Sequence, residues 1–300
     1  MTNLTRRELS LGLLGALQLR AAQPGLAGIQ VDTHVHLFSG DQKAFPYHAN
    51  AAYQPKAEPL EPYLDFARQA KIDHVVIVHP EPYQDDHSYL KYCIAHEPSK
   101  GFFKGTCLFD PIAPDTAARM KQLTRDLPGR IVALRIHATT DPKNYPTKSG
   151  PIRDRDLAAP EMAKTWKAAH DLGLGIQMHF IPFYALRIRK LAEQFREMPV
   201  ILDHLGRAGQ GTAAEFDNVL RLSELPNVYM KYSGEYMNRK PETQRAFQAF
   251  GADRMLWGGL GMNMEQYRKN SALFNSIFDF TTEEARAKIR GANAMKLFRF

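Results

Sequence analysis

Apolar positions along the chain fall into two alternating patterns. Short runs dense in Val, Ile, Leu, Met and Phe occur at 29–36, 73–79, 102–109, 130–137, 174–180, 199–204, 227–233 and 254–259, and their length and composition predict strands. Longer stretches with apolar residues spaced three and four apart predict helices over 59–70, 113–127, 160–172, 183–197, 212–225, 240–250 and 264–278. Strand–helix alternation implies parallel strands joined by crossovers, and eight such units predict one (β/α)8 TIM barrel over residues 29–300. A doubly wound open sheet is the competing α/β architecture. It calls for a glycine-rich phosphate turn after an early strand, and no G-x-G-x-x-G stands there.

The polar residues are not spread evenly over these strands. His34 and His36 end the first, His79 the second, Arg135 and His137 the fourth and His179 the fifth. Asp203 and His204 end the sixth, and Lys231 and Ser233 the seventh. Barrel strands are covered on both faces, so charged side chains at one end of so many of them need partners, and a shared pocket supplies them. In a regular strand, Asp32, His34 and His36 share one face, with the imidazoles about 7 Å apart. Neutral imidazoles converging in this way suit a divalent metal such as Zn²⁺ or Mn²⁺, with His34, His36 and His179 as three ligands and an open position for water. Each residue also has a plainer reading. His79 and His137 can simply bond a neighbouring carbonyl, and Asp203 can cap a turn or pair with Arg207. The loops at 38–58 and 138–153 both follow strands, which puts them on the active-site face of a barrel.

Composition narrows the class. Hydrophobic residues make up 44% and charged residues 24%, values of a globular chain. The formal charge of +7 is scattered, with no basic cluster and no aromatic–basic interleaving, which argues against nucleic acid and favours a small acidic molecule. Two cysteines, Cys93 and Cys107, in a helical and a strand pattern, read as buried free thiols, and no C-x-x-C supports a zinc ribbon.

The first 28 residues differ from the rest. Arg6 and Arg7 precede an apolar stretch from Leu9 to Leu19, followed by small residues, which is the layout of a twin-arginine export signal and implies a periplasmic protein. A surface amphipathic helix is the alternative, in which case the chain stays cytoplasmic. The apolar run is too short to span a bilayer, so no stable membrane insertion is expected. Loss of residues 1–28 removes three basic residues and one acid and leaves +5.

The segments VDTHVHLF (31–38), MHF (178–180), VILDHLGR (200–207), NVYMKYSG (227–234) and GANAMKLF (291–298) together resemble the amidohydrolase superfamily, in the branch that includes 2-pyrone-4,6-dicarboxylate lactonase. FPYHANAAYQP (45–55) and HVVIVHPEPYQDDHSYL (74–90) strengthen the likeness to that branch. The resemblance covers 29–300 and implies a distorted (β/α)8 barrel. It further implies His34, His36, His179 and His204 as catalytic histidines, Arg135 and Arg207 as holders of substrate carboxylates, and Tyr47 and Tyr53 as substrate-contacting aromatics. Arginine suits that task because its planar fork meets a carboxylate with two parallel hydrogen bonds. One position departs from the pattern: the family ends strand eight with an aspartate, and here LWGGLGMN aligns Leu260 with it.

The expected activity is therefore hydrolysis of a small carboxylated lactone or cyclic ester, with no cofactor or with one Zn²⁺ or Mn²⁺, the histidines or the metal activating water in place of the lost aspartate. A metal-dependent decarboxylase or hydratase is the alternative reaction. Leu260 keeps open a third reading, a barrel that binds carboxylates without turnover and that Leu260→Asp would switch on. The oligomeric state is left open, a homo-oligomer included.

Overall fold

The structure, a computed structural model, describes residues 28–49, 51–141, 147 and 149–300, so the expected export segment falls outside it except for Gly28. Eight strands form one parallel sheet in chain order. They are β1 (Val31–Val35), β2 (His74–Ile77), β3 (Phe103–Cys107), β4 (Ile131–Ala138), β5 (Gly175–Phe180), β6 (Val200–Leu202), β7 (Val228–Tyr232) and β8 (Met255–Trp257). Each lies inside its predicted run or within one residue of it. The principal helices are α1 (Leu60–Gln69), α2 (Ser88–Ala95), α3 (Thr116–Asp126), α4 (Pro160–Asp171), α5 (Ala185–Ala192), α6 (Ala213–Arg221), α7 (Lys240–Phe250) and α8 (Met264–Ile277). Two of these helices start on side-chain caps. Thr212 and Glu215 form a reciprocal capping box on α6, and the Asn263 side chain accepts the Gln266 N–H on α8. Helix α5 starts later than its pattern because Pro182 opens a separate 3₁₀ turn ahead of it, and it ends earlier, at Ala192. Cys93 on α2 and Cys107 on β3 are both free and buried, as expected.

The sheet closes through side chains of β1. The Thr33 hydroxyl donates to the Trp257 carbonyl at 2.7 Å, and the Asp32 carboxylate accepts the N–H groups of Gly259 (2.7 Å) and Leu260 (2.8 Å). The result is a nearly closed (β/α)8 barrel, the predicted fold. Strand register is irregular between Asp32 and Val35, so the simple alternation expected of this stretch is interrupted. Asp32 turns to β8 and does not join the histidine pair.

Alternation along the other strands stacks the interior in layers. Val31, Val76, Ala133, Ile201 and Leu256 form an apolar layer, and Ala294 and Phe298 from the C-terminal helix (Asn293–Phe298) pack onto it. Two residues further along the strands come Arg135, Gln177, Asp203 and Lys231, and two further again His137 and His179, which pair in register on β4 and β5. The polar interior therefore rests on a dry plug. A further tie holds that end shut: Lys104 on β3 donates to the carbonyls of Phe298 and Arg299.

Candidate active site

Four interior side chains converge on one carboxylate. Asp203, fully buried, takes Gln177 Nε2 at 3.0 Å and the Arg135 guanidinium at 3.3 Å on Oδ2. Its Oδ1 lies 3.3 Å from Lys231 Nζ and 3.5 Å from His34 Nδ1. Lys231 is itself fully buried and donates to the Thr33 carbonyl at 2.9 Å. Burial alone would raise the Asp203 carboxyl, but Lys231, His34 and Arg135 outweigh it and hold it well below the usual carboxylate range. Asp203 is thus an ionised hub. It makes no ion pair with Arg207, the partner that sequence proximity suggested.

The histidines form an arc around this hub. Ring centroids step from His36 to His34 (5.0 Å), His34 to His204 (4.5 Å), His204 to His179 (5.2 Å) and His179 to His137 (5.2 Å). His34 and His137 are buried, whereas His36, His179 and His204 keep part of their surface open. Burial, helped by the neighbouring cations, depresses every one of these imidazoles, His36 to about 3 and His204 to about 4. All five are therefore neutral at pH 7 and offer lone pairs, not charge. His36 Nδ1 lies 2.7 Å from the Val78 carbonyl, so Nδ1 carries the proton and Nε2 is the basic nitrogen. His204 Nδ1 lies 2.9 Å from the Ser233 hydroxyl. His79 takes the plainer role: it bonds the Gln84 carbonyl and stacks on His87 at 4.2 Å, away from the arc.

A strained turn delivers two of the site residues. His204, Leu205, Gly206 and Arg207 all have positive φ (56°, 53°, 60° and 52°), one turn of left-handed helix directly after β6. Such a turn costs about 1–2 kcal/mol at each non-glycine residue. Gly206 is required there on spatial grounds too, since a Cβ would come within 2.6 Å of Val219 Cγ1. The strain sets His204 beside His34 and brings Arg207 Nη1 to 3.5 Å from His179 Nε2. Arg207 also donates to the Tyr236 hydroxyl (3.2 Å), and among the described residues it has no carboxylate within salt-bridge distance. Arg135, the other expected anchor, is already turned onto Asp203.

The two tyrosines separate. Tyr53 is 47% exposed and lies within electrostatic range of Arg135, Arg153 and Glu81. Tyr47 donates to the Pro55 carbonyl (3.2 Å) and packs against Phe38 and Tyr83, so it braces its own loop. Leu260 is fully buried in the apolar core, and strand eight sends no carboxylate into the pocket. Gly258 is held against β1, where a Cβ would meet His34 Cβ at 2.6 Å. Gln177 and the hub role of Asp203 were missed from sequence, and Lys231, noted there at the end of the seventh strand, was given no role. The signal available was their common position two residues beyond the apolar interior layer.

Among the described residues, the set whose ligand atoms converge within 4.8 Å is His34, Asp203 and His204, not His34, His36 and His179. Two imidazoles and a carboxylate are ligand types that a Zn²⁺ or Mn²⁺ ion accepts. The surrounding charge opposes one. An ion bound to Oδ1 at about 2.1 Å lies no more than about 5.4 Å from the Lys231 ammonium. At an effective dielectric near 20 that repulsion is about 6 kcal/mol, roughly ten-thousand-fold in affinity against the same ligands without the ammonium. Arg135 on the other oxygen adds to it. The cluster does not fit a divalent ion while Lys231 holds its place.

The sequence matches the amidohydrolase family model over residues 31–300. No curated protein matches it. Among solved structures, a probable 2-pyrone-4,6-dicarboxylic acid hydrolase from Acinetobacter baumannii with citric acid bound is 19% identical with a TM-score of 0.71, covering 90% of this chain and 99% of that one. An amidohydrolase from Burkholderia multivorans with bound zinc is 14% identical (TM-score 0.68, coverage 91% and 99%). A dihydroxybenzoic acid decarboxylase from a Polaromonas species with bound manganese is 15% identical (TM-score 0.65, coverage 90% and 97%). At these identities the structural likeness speaks to the fold, whereas the family model spans nearly the whole barrel: the chain belongs to the amidohydrolase family.

Proposed function

We propose that this protein hydrolyses a small carboxylated lactone or cyclic ester of the 2-pyrone-dicarboxylate type. The observation that carries the reading is Arg207, a partly exposed guanidinium that no described carboxylate neutralises, beside an arc of neutral histidines. An arginine so placed takes a substrate carboxylate, and Tyr53 covers the ring. His36 Nε2, its tautomer fixed by Val78, accepts a proton from water as the water adds to the ester carbonyl. Negative charge on the carbonyl oxygen develops beside Arg207 and above the Arg135–Asp203–Lys231 layer, whose fixed dipoles need no rearrangement to receive it. The C–O bond to the ring oxygen then breaks, and that oxygen leaves as an enolate. The depressed basicity of His36 makes its imidazolium a strong acid, so the proton taken from water passes on to that oxygen and leaves His36 neutral again. The similarity to a 2-pyrone-4,6-dicarboxylic acid hydrolase supports the same class.

Decarboxylation is the second reading, supported by the likeness to the dihydroxybenzoic acid decarboxylase. Incubation with 2-pyrone-4,6-dicarboxylate in ¹⁸O-water separates the two. The expected result is loss of pyrone absorbance with one ¹⁸O in the ring-opened acid. Release of carbon dioxide, or binding without turnover, sinks the hydrolase reading. We also assign the mature protein to the periplasm from its twin-arginine pattern, which N-terminal sequencing of periplasmic protein tests.

A further inference from the structure

Lys231 is out of keeping with a metal centre. It is fully buried on β7 with its ammonium hydrogen-bonded to the Thr33 carbonyl and 3.3 Å from Asp203 Oδ1. Asp203 belongs to the set with His34 and His204 whose ligand atoms lie within 4.8 Å of one another. Both His34 Nδ1 and Asp203 Oδ1 are buried without a hydrogen-bond partner, as atoms left for a cation are. The cation beside them is the lysine's own.

We propose that Lys231 is the resident cation of this site: its ammonium does the charge-balancing that a divalent ion would do in the His34–Asp203–His204 cluster, and its presence keeps such an ion out. Lys231 is then a positioning residue. It holds Asp203 ionised, and its hydrogen bond holds the Thr33 carbonyl in place. The tether to Thr33 gives the point charge a fixed location, which a flexible lysine otherwise lacks. A buried aspartate beside two histidines, freed of its ammonium, is a ligand set in want of a metal.

The test compares the purified wild-type chain with Lys231→Met, which is unbranched and one atom shorter and removes the charge. Each is titrated with Zn²⁺ against a chromogenic chelator and with Co²⁺ as a spectroscopic probe. The expected result is no stoichiometric metal on the wild type and one ion per chain on Lys231→Met. The affinity gain should be at least about 100-fold, with the visible bands of four- or five-coordinate Co²⁺. Adding His204→Ala to Lys231→Met should abolish the bands. Melting gives an independent readout: Zn²⁺ should raise the midpoint of Lys231→Met and leave that of the wild type unchanged. One tightly held ion per wild-type chain overturns the proposal, even if the variant does not fold. Equal affinity of the two proteins overturns it as well. Neither readout uses a substrate, so failure here leaves the hydrolase reading standing, and failure of that reading leaves this proposal standing.

Discussion

The carboxylate of Asp32 grips the backbone of Leu260, accepting its N–H at 2.8 Å across the seam between the first and last strands. The same side chain, itself fully buried, takes the N–H groups of part-buried Gly259 (2.7 Å) and buried His34 (2.9 Å). Asp32→Ala strands three donors, those of His34 and Leu260 buried, at about 1–3 kcal/mol for each buried one, so a loss of about 3–5 kcal/mol is expected after relaxation. Denaturant unfolding measures it. An Asp32→Ala chain as stable as wild type would show that water or another group takes over the seam.

That seam illustrates what the sequence disclosed and what it withheld. All eight strands and the (β/α)8 order were legible because buried parallel strands announce themselves as short apolar runs between amphipathic helices. The pocket end was legible because histidines interrupt those runs at one end. The role of Asp32 was not, since the alternation that groups it with His34 and His36 assumes a regular strand, and the pairing shifts between Asp32 and Val35. Nor was the hub. Asp203 stands four residues before Arg207, and local reasoning pairs them, while its actual partners lie on β1, β4, β5 and β7. The left-handed turn at 204–207 turns Arg207 toward His179 instead, and nothing in the letters HLGR requires that geometry.

Arg207 should govern substrate affinity. Arg207→Lys keeps the charge but loses the fork, so KM for a pyrone carboxylate is expected to rise about 10- to 100-fold, with a smaller change in kcat. Steady-state kinetics decides it. A variant with unchanged KM would assign the carboxylate to another residue.

Stability should fall on mild acidification. Unfolded, the site histidines bind protons below about 6.5; folded, His36 and His204 do so only below about 3 and about 4. Between those limits the unfolded chain holds more protons, so unfolding becomes easier as pH drops, and stability is restored as pH rises through 6.5. A melting midpoint that declines steadily from pH 7 to pH 4 is expected, with a shallower decline in His36→Gln/His204→Gln. Parallel curves for the two proteins would place the pH sensitivity elsewhere.

Gly258 sets the spacing between strand eight and His34. A Cβ there would meet His34 Cβ at 2.6 Å and His34 N at 2.8 Å, neither of which is the movable end of a side chain. Gly258→Ala is therefore expected to cost about 1–3 kcal/mol and to displace His34 from Asp203. Activity should fall further than stability does, which parallel melting and kinetic measurements would separate. Loss of stability with full activity per folded chain would mean that the position of His34 does not matter to the reaction.

Restoring the family's aspartate at position 260 is not expected to restore a catalytic base. Leu260 is fully buried, packed in the apolar core, with its N–H already bound to Asp32. A carboxylate introduced there enters an apolar core next to a second buried carboxylate, so it must either take up a proton or unfold its surroundings. Leu260→Asp should therefore destabilise the barrel by about 3–5 kcal/mol without raising pyrone hydrolysis, while Leu260→Met, close in volume, should cost less than about 1.5 kcal/mol. Unfolding curves and turnover on the same preparations test both halves. A stable Leu260→Asp that hydrolyses faster would mean that the β8 loop can turn this side chain into the pocket. In that case the substitution at 260, and not the Asp203 hub, is what sets this chain's chemistry apart.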